Sequence, residues 1–92
     1  MFEETIDEIK AFLKDAKSNY VNISYSSKLF EGKIEYHEGE FDYYVGSDEL
    51  ALMGKMVLYM NLSDAIATFN YSDEGDTLKI ADASGNTVIV EK

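Results

Sequence analysis

The chain reads as an α+β domain in which an N-terminal amphipathic helix packs on antiparallel meander sheet. Three observations carry that expectation. Apolar residues recur at helical spacing through the first seventeen positions. From Val21 onward the period switches to two. Glycine-bearing turn steps then punctuate the chain at Glu31-Gly32, Glu38-Gly39, Glu74-Gly75 and Ala83-Ser84-Gly85. The predicted order is α-βββ-α-βββ, within one domain spanning 1–92, because 92 residues leave no room for a second core.

The first element is expected at 2–17. Phe2, Ile6, Ile9, Leu13 and Ala16 fall on one helical face, and Phe12 widens it. Glu3, Glu4, Asp7 and Glu8 precede Lys10, Lys14 and Lys17, the order that complements a helix dipole. Ser18-Asn19 supplies the stop, with Asn suited to a left-handed cap. Val21, Ile23, Tyr25 and Leu29 then share one parity, opposite Asn22, Ser24, Ser26 and Lys28, which predicts a half-buried strand. Two-residue turns at Glu31-Gly32 and Glu38-Gly39 would set Leu29 opposite Ile34, Tyr36 opposite Phe41, and Ile34 opposite Tyr43. A second meander is expected near 65–72, 76–82 and 86–91. It pairs Tyr71 with Leu78, Ile80 with Val88, and Leu78 with Val90. Ser47 to Leu62 is ambiguous. It is apolar on every side of Leu50–Met60 and opens on Asp48-Glu49, so a buried helix is the first reading. A strand at 55–61 with Gly54 as a break is the second.

Composition excludes several classes of function. Asp+Glu number 18 against 8 Lys+Arg, all of them lysine, for a net charge of -10. A chain without arginine or a basic patch does not hold DNA or RNA directly, and anionic membrane is disfavoured for the same reason. There is no cysteine, so disulfide scaffolds, thiolate nucleophiles and Cys-based metal sites are excluded. An acidic start and no long apolar run predict a cytoplasmic protein, and the sequons at Asn22, Asn61 and Asn70 then read as chance. At 46% hydrophobic and 13% aromatic residues, the chain has enough apolar surface to fold.

The expected site is the acidic hairpin face carrying Glu31, Glu35, Glu38, Glu40, Asp42 and Tyr44. In the register above Glu35 faces Asp42, and opposed like charges cost a strand pair about 0.2–1 kcal/mol. Acid placed against the pairing rule, beside an exposed tyrosine, fits docking of a basic partner as well as it fits solubility. His37 is the only histidine, and with these acids it could ligate a metal. It lacks dedicated ligand spacing, and no cofactor is predicted. The Asp73–Asp76 and Asp82–Asn86 segments lack EF-hand positions and read as turns. No phosphate loop, nucleophile elbow or catalytic triad signature appears, so the chain is read as non-enzymatic.

The leading functional expectation is therefore a protein-binding module that presents an acidic strand face to a basic, nucleic-acid-binding protein surface. In size and charge alone the chain resembles small acidic α+β inhibitors of phages and mobile elements, and no motif supports that resemblance. A dimeric secretion or assembly chaperone-like adaptor is the first alternative. A small metal-dependent protein centred on His37 is the second. The oligomeric state is left open, a homodimer included.

Overall fold

A computed structural model describes residues 1–92. Helix α1, Glu3–Lys17, buries Ile6, Ile9, Phe12, Leu13 and Ala16, the expected stripe less Phe2. Phe2 is extended, precedes the helix and is exposed. Its carbonyl accepts the first intrahelical bond, from the Ile6 N–H at 3.1 Å. Asn19 does not adopt the left-handed conformation. It caps with its side chain instead, Nδ2 donating to the Asp15 carbonyl at 2.7 Å.

Eight strands follow. β1 is Val21–Ser26, β2 Glu31–Tyr36, β3 Asp42–Val45, β4 Glu49–Met53, β5 Val57–Asn61, β6 Ile66–Ser72, β7 Gly75–Ala81 and β8 Thr87–Glu91. They form an antiparallel five-stranded sheet ordered β2-β1-β8-β7-β6 and a three-stranded sheet ordered β3-β4-β5. The middle helix is not formed. Residues 49–61 are a hairpin whose paired Leu50–Met60 and Leu52–Leu58 face the core. Gly54 would cost a helix about 1 kcal/mol relative to Ala. As part of the β4–β5 loop it carries no such cost, and Val57 and Tyr59 favour strand.

Two expected turns also differ. Between β1 and β2 the loop is Ser27–Phe30, where Ser27 Oγ accepts the N–H groups of Leu29 (3.2 Å) and Phe30 (3.3 Å). The β1–β2 register becomes Ile23–Ile34 and Val21–Tyr36, six residues from the expected pairing but on the same face. Face survives because a slip by an even number of residues preserves parity. The second difference is larger: β2 and β3 do not pair, and lie in different sheets. Glu38-Gly39 does turn the chain, with Gly39 at φ 76° and its N–H donating to the Lys17 carbonyl at 2.9 Å. After the turn Phe41 drops into the core beside Tyr36, ring centroids 5.4 Å apart, instead of opposing it across a ladder.

The C-terminal meander is close to expectation. Ile80–Val88 and Leu78–Val90 pair as predicted. Between β6 and β7 the turn is Asp73-Glu74, so Leu78 faces Phe69, two residues from the expected Tyr71. One cluster of 18 buried residues joins α1 and both sheets. Lys92 fastens the helix to the five-stranded sheet. Its Nζ sits 4.3 Å from the Phe12 ring centroid, 2.6 Å from Asp15 Oδ2 and 3.6 Å from Asp76 Oδ2. No helix is long and apolar enough to cross a membrane.

Candidate functional site

The six expected site residues do not share one face. Glu31 and Glu35 lie on β2, opposite Ser26 and Asn22, on the outer face of the five-stranded sheet. Glu38 and Glu40 are in the β2–β3 loop, where Glu40 Oε1 accepts the His37 N–H at 2.6 Å. Asp42 and Tyr44 are on β3, opposite Met53 and Ala51. The Glu35–Asp42 opposition is therefore absent, and with it the expected electrostatic penalty. Asp42 instead accepts from Lys17 Nζ at 3.1 Å and from the Tyr43 N–H at 2.8 Å. The Tyr43 bond and then the lysine hold its carboxyl below the usual range. His37 packs edge-on against Tyr20 at 5.2 Å, and no three histidine or carboxylate side chains converge to hold a metal.

The structure assembles a different face around two of the six. On the outside of the three-stranded sheet, Tyr44, Ala51 and Tyr59 form one cross-strand row, and Asp42, Met53 and Val57 the next. Tyr44 is 54%, Val57 68% and Tyr59 64% exposed. Three large apolar side chains on one small sheet face form a contiguous patch, which isolated exposed residues do not. Neighbouring strands are about 4.8 Å apart, so the two tyrosines stand about 10 Å apart with only the small Ala51 between them.

Glu49 completes the arrangement. It is half-buried, pairs with Asn61, and accepts a hydrogen bond from the Tyr59 hydroxyl at 2.9 Å. That bond, then desolvation and the carboxylate charge, raise the Tyr59 phenol above its ordinary value. The phenol therefore stays protonated at neutral pH and remains a hydrogen-bond donor. Tyr44 leans toward the same end of the sheet. Its hydroxyl would lie 3.1 Å, and Glu49 Cγ 3.5 Å, from a Cβ placed on Gly46, so both pass close over that glycine. A carboxylate set among two phenol rings can accept a cation by charge and by ring quadrupole together. Beside β5, a groove of about 160 Å³ runs between its edge and the β1 and β8 ends. Tyr25, Phe30, Met56, Leu58, Met60 and Val88 line it.

Sequence reasoning missed Glu49, Ala51, Met53, Val57 and Tyr59 because it folded 48–62 as a helix. The usable signal was parity within each half: Leu50 and Leu52 inward against 49, 51 and 53, then Leu58 and Met60 inward against 57, 59 and 61. Comparison with family models, with curated proteins and with solved structures finds no match for this chain.

Proposed function

We propose that this chain is a non-enzymatic protein-binding module that docks a basic partner protein on the outer face of its three-stranded sheet. The observation that carries this is the row of exposed Tyr44 and Tyr59 beside half-buried Glu49, with Val57 and Asp42 in the neighbouring row of the same face. Tyrosine supplies contact area at low entropy cost, methionine and valine add apolar area, and Glu49 receives an arginine or lysine of the partner. The net charge of -10 steers a basic surface toward the face and repels acidic ones. Surfaces that ordinarily carry nucleic acid have this chemistry, so inhibition of such a protein is the form of the function the charge favours. The lack of cysteine suits a reducing compartment such as the cytoplasm.

Glu49→Gln tests the reading. Glutamine can still accept the Tyr59 hydrogen bond but carries no charge. Affinity for the partner captured from the host is expected to fall about 10- to 100-fold, as for loss of one charge-assisted bond. The salt dependence should weaken with it. Unchanged affinity in the Gln variant would exclude Glu49 as the cation acceptor.

A further inference from the structure

The two sheets have four edges, β2, β6, β3 and β5. Charge guards two of them: Glu31, Lys33 and Glu35 lie on β2, and Asp42 on β3. β5 and β6 carry no charged residue and no proline. Natural sheets usually protect such edges, since unpaired N–H and C=O groups template pairing with another chain. β5 belongs to the proposed docking face. β6 is the longer of the two, seven residues, and lies at the far side of the five-stranded sheet.

We propose that β6 is a self-association edge, where two copies of this chain pair β6 against β6 antiparallel about Phe69 and merge their five-stranded sheets. The sequence is self-complementary in that register. Phe69 meets the partner's Phe69, and small Ala67 meets the partner's Tyr71 on the core-facing side. Thr68 meets the partner's Asn70 on the outer side. No pair within the strand opposes two charges. Two chains of net charge -10 repel wherever their acids approach. A charge-free edge is the surface on which they can meet most closely. Ile66 meets the partner's Ser72 at the strand ends, as Val57 would meet Asn61 in the same pairing of β5, but β5 offers only five residues against seven in β6. At the two ends of the β6 pair, continuing the register sets Asp64 against the partner's Glu74. The dimer is therefore opposed electrostatically and held by backbone pairing and aromatic contact. Salt must strengthen it, whereas salt weakens docking of a basic partner. The two interactions thus fail independently.

Sedimentation equilibrium of the full chain tests this between roughly 0.02 M and roughly 0.5 M salt, where the screening length falls severalfold. A reversible dimer that tightens with salt is expected. Thr68 and Asn70 are exposed, so substitutions there should leave the fold intact, as circular dichroism would verify. The T68E/N70E pair creates two Glu–Glu oppositions across the axis and should remain monomeric at low and high salt. The T68E/N70K pair creates two Glu–Lys oppositions and should dimerise more tightly than wild type at low salt. A wild-type chain that stays monomeric in high salt, or a dimer that T68E/N70E leaves intact, would overturn the proposal.

Discussion

Replacing Tyr44 and Tyr59 together by alanine is expected to lower affinity for the proposed basic partner about a hundredfold and to leave the thermal unfolding of the chain close to wild type. Both side chains are more than half exposed, so their truncation opens no cavity in the core. Their weight lies in the complex. Buried aromatic anchors at the centre of an interface cost about 2 kcal/mol or more when cut to alanine, about 30-fold each. The two flank Ala51 in one row and share Glu49, so their effects should fall short of additive. Removing Tyr59 also strips Glu49 of its hydroxyl donor, which leaves the carboxylate less well placed to meet a cation. Surface isotherms for the two single variants and the pair, beside unfolding curves for each, separate binding from stability. If the pair binds like wild type, the aromatic face is not the contact.

Gly54→Val destabilises the fold by about 3 kcal/mol, the upper end of overpacking costs. A Cβ at Gly54 would lie 2.6 Å from Tyr36 Cε1 and 2.7 Å from its hydroxyl oxygen. That ring cannot swing aside cheaply. It is buried, packs beside Phe41, and its hydroxyl accepts the Lys55 N–H at 3.0 Å. Tyr36 belongs to the five-stranded sheet and Gly54 to the loop between β4 and β5, so this contact joins the two sheets. The β4–β5 hairpin it supports also carries the proposed docking face. Chemical denaturation of Gly54→Val should show the loss in the midpoint. A Tyr36→Leu background, with a shorter side chain there, should recover part of it, since coupled neighbours are non-additive. Equal penalties in both backgrounds would mean the ring contact is not the cause.

The helix and the C-terminal meander were legible because each has one wet face and one buried face. In α1 the stripe Ile6, Ile9, Leu13 and Ala16 contrasts with glutamates and lysines. In β7, Leu78 and Ile80 alternate with Thr77 and Lys79, and in β8 Val88 and Val90 share the buried parity while Thr87 and Glu91 fall on the other. The β4–β5 hairpin was illegible because its solvent face is apolar too. Ala51, Met53, Val57 and Tyr59 point outward yet are apolar, so alternation vanished and the segment looked buried on every side. A strand whose solvent face serves as an interface loses the period-two signature by which strands are found. The acidic hairpin failed differently. It turns at Glu38-Gly39 as expected, but local pairing rules could not foresee that Phe41 enters the core beside Tyr36 and that β3 pairs with β4 rather than β2. Of the five acids and one tyrosine expected to form the site, Asp42 and Tyr44 lie on the proposed face.

Site-specific photocrosslinking in the host locates the surface that meets the proposed partner. A benzophenone side chain placed at Val57 reports on the docking face. One placed at Lys79, exposed on the outer side of the five-stranded sheet, serves as the control. A discrete adduct from position 57 to a basic protein is expected, lost in the Glu49→Gln background, with no such adduct from position 79. An adduct to the same protein from position 79 with none from position 57 would contradict it.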